Sequence, residues 1–368
     1  MVGAGITGAS CAYAASGLGA DVVLADAGLA GQATAAGAGI ISPWTSSADD
    51  AKYAFGCAAA REYPGLVAEL IGAGLGEGTY RQVGALFVTG DEGEARRARD
   101  ELLARRAVAP EIGEVEVLDA GQARELFPPL RPQAPATFIG GAARVDGRLI
   151  TTALVAGARR RGAEIRTGRA ALAVRGGRVV GAQIDGRLTE ADAVVVAAGA
   201  WTAPLLAQVG MAVDVGPQRG QIVHLSVAPA DTSRWPVVLP AGSGHYLLAF
   251  DDSRIVAGAT RETGSGFDVH VTAGGLHEVL TQALAVAPGL AGARHLETRV
   301  GLRPASPDNR PLLGRIGGAE ELVVATGLGA SGLTMGPLAG RLAAQAALGI
   351  KPDLDLAPFD PLRAVPPA

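Results

Sequence analysis

Gly3-Ala4-Gly5-Ile6-Thr7-Gly8 opens the chain with three glycines at the spacing G-x-G-x-x-G. In a strand–turn–helix unit each glycine has its own task. Gly3 permits a tight turn, Gly5 lets the backbone approach a pyrophosphate, and Gly8 lets the following helix pack close to a sheet. The small-residue run Ala9-Ser10-Cys11-Ala12-Tyr13-Ala14-Ala15 reads as that helix, with Gly17 and Gly19 marking its end. Asp21-Val22-Val23-Leu24-Ala25-Asp26 reads as a buried parallel strand ending in an acid. Asp26 stands near the distance, about 20 residues past the last glycine, of the carboxylate that holds a ribose hydroxyl. Three glycines alone are a weak signal in a chain with 53 of them, and a Gly/Ala-rich turn could match by accident. The helix, strand and terminal acid in register favour a dinucleotide site. One feature departs from the pattern: the fingerprint should follow a strand, and only Met1-Val2 precede it. The central strand is therefore expected to be almost absent, and the natural protein to begin several residues upstream.

A chain of 368 residues exceeds one ordinary core, so two domains are expected. A hydrophobic fraction of 48% with 18% charged residues suits a well-buried globular protein, not a disordered one. The net charge of −4 argues against a nucleic-acid partner. Lys52 and Lys351 are the only lysines. Cys11 and Cys57 form neither a metal spacing nor a disulfide framework, and Cys11 is expected as a small core residue. No basic stretch followed by an apolar run opens the chain, so no signal peptide is read. The mean hydropathy of +0.26 is spread along the chain. Its most apolar segment, 327–349, contains Arg341 and many glycines and alanines, a poor membrane span. A soluble, cytoplasmic protein is the expectation.

Residues 28–41 crowd small side chains into one loop, as expected where backbone lies against a ligand. Helices are expected over 51–63, ended or restarted by Pro64, over 92–106, 122–127, 146–162, 272–287 and from 202. Leu149, Ile150, Leu154 and Val155 form the apolar stripe of the 146–162 helix. Strands are expected over 82–88, 115–118, 136–139, 163–166, 170–174, 178–182, 220–226, 245–250, 254–260 and 295–303. Two further apolar strands, 193–201 and 322–326, each end in a glycine turn. The second is followed by Gly327-Leu328-Gly329-Ala330-Ser331-Gly332 and a helix from about Gly336 to Leu348. That makes a second place where backbone N–H groups can hold an anion or an electron-rich ring. The fold class is α/β (α+β overall). A doubly wound dinucleotide domain is interrupted and later resumed, around an antiparallel-sheet domain.

These residues are recognisable together. The chain resembles, nearly end to end, the FAD-dependent amino-acid oxidoreductases that include glycine oxidase, D-amino-acid oxidase and dehydrogenase, and sarcosine oxidase. The resemblance rests on the opening fingerprint with Asp26, the small-residue loop 33–41, the strand and turn 194–201, and Pro217-Gln218-Arg219-Gly220-Gln221. It rests equally on Gly301-Leu302-Arg303-Pro304, Pro307-Asp308-Asn309-Arg310-Pro311 and the late turn 325–334.

The resemblance implies non-covalent FAD. Its pyrophosphate would lie on Gly3, Gly5, Ile6, Thr7 and Gly8, and its ribose on Asp26 with Ala27. Ala171 falls at the adenine contact. The ring would meet Ala33, Thr34, Ala38, Gly39, Ile40 and Gly199, and the late turn Leu328, Gly329, Ala330, Ser331, Gly332, Leu333 and Thr334. The last helix would aim its positive end at the reduced ring. Arg303 matches the arginine that pairs with the substrate carboxylate, and Tyr246 the tyrosine that reaches it too. The plain alternatives are a structural salt bridge for Arg303 and a half-buried strand tyrosine for Tyr246. Arg261 follows the same sheet and is an even candidate for the pocket. The five histidines are expected at surface or core positions.

The departures are informative. The region of Gly301 has no cysteine for covalent flavin attachment, and the strand 254–260 lacks the lysine with which sarcosine oxidases activate oxygen. Leu328 stands where many relatives have histidine. The implied reaction is hydride removal from the α-carbon of a small amino acid, of D-amino-acid or glycine type, with oxygen or a quinone- or dye-type acceptor. A homo-oligomer is compatible with this. An N-methyl or cyclic amino acid is an alternative substrate, and a non-catalytic flavin-binding subunit an alternative role. The expected FAD domain comprises 1–50, 140–215 and 301–350, the substrate domain 51–139 and 216–300, and the tail 351–368.

Overall fold

A computed structural model describes residues 1–46, 49–76 and 80–364. The first glycine turn leaves a mostly parallel sheet. Its strand order is Glu164–Thr167, Val23–Asp26, the Met1–Gly3 segment, Val194–Val196 and Ala319–Thr326, with Leu312–Ile316 antiparallel at the edge. The nearly absent central strand is reduced to Val2, which bridges Ala25 on one side and Val196 on the other. Four backbone hydrogen bonds hold it. Val2 N–H donates to Val195 O and Gly3 N–H to Ala25 O, both at 2.8 Å, while Met1 O accepts from Ala25 (2.9 Å) and Val2 O from Ala197 (2.8 Å). The turn is thus anchored on both flanks. The chain winds outward in opposite directions from Val2, so the crevice for a ligand lies beyond the carboxyl ends of these strands.

Three helices pack on this sheet: Ile6–Gly17, Gly147–Arg160 and Gly332–Ala347. The first and last cross at close range. A Cβ on Gly340 would lie 2.7 Å from Cys11 N, so that helix face must be bare. Cys11 is buried there, and burial pushes its thiol up to about 12.

The second sheet has nine strands among the described residues. Their order is Glu262–Thr263, Gly216–Ser226, Arg254–Gly258, Tyr246–Ala249, Val237–Pro240, Ala85–Val88, Ala136–Ile139 and Val115–Leu118. Arg294–Ala305 pairs along the length of Gly216–Ser226. An all-antiparallel sheet was the expectation. One junction, Val237–Pro240 against Ala85–Val88, is parallel and joins the two distant parts of the sequence. Helix Ala273–Val286 covers one face over Val223, Leu225, Leu247 and Ala257.

Several expectations are corrected. Pro64 does not end the helix; Asp50–Gly72 runs through it. Its ring is exposed while Tyr63, Val67 and Leu70 around it are buried. Burying each of these contributes about 1.5–3 kcal/mol, together more than the roughly 3 kcal/mol of an interior proline. Leu149 is 58% exposed, and the buried stripe of its helix is Ile150, Ala153, Leu154, Gly157 and Ala158. The strand expected over 82–88 divides at Gly84 (φ +76°) into Arg81–Gln82 and Ala85–Val88. The last helix begins at Gly332, four residues early. Strands Arg187–Glu190, Val237–Pro240 and Leu312–Ile316 carry no clear apolar alternation between turn residues and were not anticipated. Among the described residues no helix is long and apolar enough to cross a membrane.

Candidate active site

A cavity of about 820 Å³ lies between the two sheets, near the upper end of the range for small-molecule sites. Every residue expected to touch cofactor or substrate lines it except Gly8. Gly8 is buried under the turn, where a Cβ would lie 3.0 Å from Gly3 C, so it sets helix-to-turn packing. Gly3 is required twice over, by φ of +99° and by Ala197 C, 2.8 Å from where its Cβ would be. Helix Ile6–Gly17 starts at Gly5, which brings no side chain to cap it. Thr34 Oγ1 accepts the Ile6 N–H at 3.0 Å. Further first-turn N–H groups remain for an anion at the cavity wall.

Asp26 ends its strand with both oxygens engaged. Oδ2 accepts from Ala4 N–H (2.6 Å), and Oδ1 accepts from Gly28 N–H (2.7 Å) and Gln32 Nε2 (2.8 Å). An ionised carboxylate offers about four acceptor positions, so these bonds orient it and leave room for a hydroxyl donor. Ala27 lies beside it and Ala171 lines the same end from strand Ala170–Arg175.

Ala33 and Thr34 sit on the short helix Ala33–Ala36, followed by Ala38, Gly39 and Ile40. Gly39 has φ +97°, and a Cβ there would collide with Val145 backbone. Thr334 Oγ1 donates to Ile40 O at 3.0 Å, tying this wall to the late turn. Residues Leu328–Thr334 run through a short 3₁₀ turn into helix Gly332–Ala347, whose N-terminus also lacks a side-chain cap. Gly199 lines the junction, and Thr326 Oγ1 donates to its carbonyl at 3.0 Å. Two helix N-termini, neither capped by its own N-cap side chain, therefore face one cavity. Phosphate oxygens suit one and the electron-rich pyrimidine edge of a flavin the other, so the residues present fit FAD.

The other wall comes from the nine-stranded sheet. Arg303 projects from strand Arg294–Ala305, and Tyr246 from strand Tyr246–Ala249. Strands Gly216–Ser226 and Arg254–Gly258 lie between them, a span of three interstrand spacings or about 14 Å. The two side chains converge because the intervening strands carry glycine beneath them. A Cβ on Gly220 would overlap the Arg303 guanidinium, and one on Gly258 would lie 2.5 Å from Tyr246 Oη. Arg303 Nη1 donates to Thr260 O at 2.9 Å. Burial holds the Arg303 guanidinium below its ordinary pKa, and the nearby charge of Arg261 pushes the same way. Burial raises the Tyr246 hydroxyl, against the pull of Arg303 and Arg261.

The cavity includes residues that sequence reasoning passed over. Lys52 and Tyr53 reach it from the first turns of helix Asp50–Gly72, whose Asp49 cap accepts Lys52 N–H at 3.1 Å. Burial lowers the Lys52 ammonium pKa, opposed by Asp49 and Asp308. No lysine stands on strand Arg254–Gly258, yet this one comes to the same cavity from another element. Its being one of only two lysines in the chain was the available signal. Arg261 lines the wall beside Gly244. None of the five histidines lines it.

Known proteins share this architecture. A family model described as FAD dependent oxidoreductase (DAO) matches residues 1–346. The chain is 44% identical over 367 residues to an uncharacterized oxidoreductase, YurR, of Bacillus subtilis (strain 168), covering 99% of this chain and 98% of that one. It superposes on the crystal structure of iminodiacetate oxidase (IdaA) from Chelativorans sp. BNC1 with a TM-score of 0.92 and 47% identity, covering 98% of each chain. For glycine oxidase from Geobacillus kaustophilus the TM-score is 0.85 at 28% identity, covering 99% of this chain and 98% of that one. With the family model spanning most of its length, this chain belongs to the DAO family of FAD-dependent oxidoreductases.

Proposed function

We propose that this flavoenzyme oxidises a small amino acid of glycine or D-amino-acid type at its α-carbon. The observation that carries the reading is the convergence of Arg303 and Tyr246, over Gly220 and Gly258, on the cavity that fits FAD. Bound FAD supplies a two-electron acceptor for the hydride leaving the α-carbon. The chain's own residues hold and orient. The Arg303 guanidinium takes the substrate carboxylate in its planar fork, and Tyr246, kept protonated by burial, donates to the same group. This fixes the α-carbon toward the ring, which lies between the 33–40 wall and the late turn. Gly3, Gly5, Ile6 and Thr7 hold the pyrophosphate, Asp26 and Ala27 the ribose, and Ala171 the adenine; Gly8 supports the turn from behind. Loss of hydride and an amine proton leaves an imine, which water converts to a keto acid and ammonia. Oxygen or a quinone-type acceptor takes the electrons on.

The FAD-binding unit comprises 1–50, 140–215 and 301–350, and the substrate unit 51–139 and 216–300. A second reading, a secondary-amine amino acid, is favoured by the 47% identity to iminodiacetate oxidase. Arg303→Ala tests the shared core of both readings. KM rises about tenfold or more with FAD still bound, since a lost charged hydrogen bond is worth about 1.5–3 kcal/mol. An unchanged KM removes Arg303 from the site.

A further inference from the structure

The wall contributed by the nine-stranded sheet carries more positive charge than one carboxylate needs. Arg303 and Arg261 both line it, and Lys52 faces the same cavity. Among the described residues Arg261 makes no hydrogen bond or ion pair, and Arg303 donates only to a carbonyl. Among the described residues the only acids lining the cavity are Asp26 and Asp185. Asp26 is bound within its own turn and Asp185 accepts Arg169 N–H at 2.9 Å, both away from this sheet. The acid next to Arg261 in sequence does not serve it either. Glu262 Oε2 accepts from Arg219 Nη2 at 2.6 Å, and Asp268 takes Arg219 Nη1 at the same distance. Arg261 and Arg303 thus repel one another across a shared space with no protein anion between them. Arg219, Arg299 and Arg254 of this sheet are paired, with Glu262, Glu297 and Asp146, while the exposed Arg294 has no acidic partner among the described residues.

We infer that Arg261 forms a second carboxylate subsite beside the Arg303–Tyr246 clamp, and that the substrate is a small amino acid carrying two carboxylates. This rests on the proposed amino-acid oxidation for its orientation. One carboxylate lies on Arg303 and Tyr246, and the second reaches Arg261, either from a substituent on nitrogen or from a short side chain on the α-carbon. Gly244 keeps the space for this arginine. A Cβ there would sit 3.3 Å from Arg261 Nε, two residues before Tyr246. Lys52 adds a further positive charge: its ammonium pKa is lowered by burial first and also by the nearby charge of Arg261. Arg261 is exposed at the cavity wall with no acidic partner among the described residues, and its planar, permanently charged fork suits a carboxylate there.

Binding tests this apart from turnover. The FAD-loaded protein is titrated calorimetrically with thiodiacetate, in which sulfur replaces the amine, and with (methylthio)acetate, which has one carboxylate. Thiodiacetate binds about tenfold or more tighter, as one charged pair predicts. Arg261→Gln brings the ratio near one and Arg261→Lys restores part of it. Equal binding of the two ligands, or a ratio that survives Arg261→Gln, overturns the inference. Turnover then places the second carboxylate. Preference for iminodiacetate over N-methylglycine puts it on nitrogen, and preference for D-aspartate over D-alanine puts it on the side chain. Neither preference, with both amines of a pair oxidised, overturns the inference. If no amine reduces the flavin while the thiodiacetate ratio and its loss hold, the proposed reaction fails and the subsite stands.

Discussion

Gly220→Ala isolates the clamp from everything else in the site. Gly220 lies in a strand with no positive φ, so alanine suits its backbone. The new Cβ would lie 2.5 Å from Arg303 Cζ, against the 3.4 Å at which ordinary contact begins. The guanidinium must therefore move by about 1 Å, and a hydrogen bond stretched that far from its usual length is lost. The obstacle is the end of a flexible side chain, so the fold survives while the clamp is displaced. Losing one charge-assisted bond of the pair costs about 1.5–3 kcal/mol, or about 10- to 100-fold in KM. Steady-state kinetics on the amine measures this, with FAD content read from absorbance. In the double variant Gly220→Ala/Arg303→Ala the effect of the alanine disappears, because its target is gone. A KM within about twofold of wild type, with FAD bound, would refute the argument that Gly220 makes room for a working Arg303.

Gly3→Ala forces a Cβ against Ala197 backbone at φ +99°; the strain alone is about 1–2 kcal/mol. The purified variant is expected colourless, with a melting temperature that added FAD no longer raises; retained FAD contradicts this. His224 is buried, and burial with Arg299 and Arg254 nearby lowers its pKa to about 4 from 6.5. The folded state refuses a proton that the unfolded chain accepts, so stability falls as pH drops from about 6.5 to 4, by roughly 3 kcal/mol. His224→Gln should flatten that part of the stability–pH curve measured by urea unfolding. Parallel curves for the two proteins would show that His224 does not drive the loss.

The cofactor side of the site was legible because its chemistry is local. Gly3 to Gly8, Asp26 and the turn 328–334 each shape the cavity within one strand–turn–helix unit, and the residue types announce it. Asp26 in particular reads correctly as a strand-end acid, although its three hydrogen bonds within the turn are visible only in three dimensions. The substrate side depends on register between strands far apart in sequence. Arg303 and Tyr246 stood out through resemblance. The glycines that let them meet, Gly220 and Gly258, belong to intervening strands and carry no signal of their own purpose. Lys52 escaped because its helix was read for its apolar face, while its first turn is what reaches the cavity. Pro64 misled for a related reason. The local rule against interior proline is outweighed by tertiary burial of Tyr63, Val67 and Leu70, which no local rule contains.

The most direct test of the central claim is the absorbance spectrum of the FAD-loaded protein during anaerobic addition of glycine, N-methylglycine, D-alanine, D-aspartate and iminodiacetate. The account predicts that at least one of them bleaches the bound flavin and yields a keto acid with ammonia or a primary amine. Flavin that dithionite reduces but none of these amines does would contradict it.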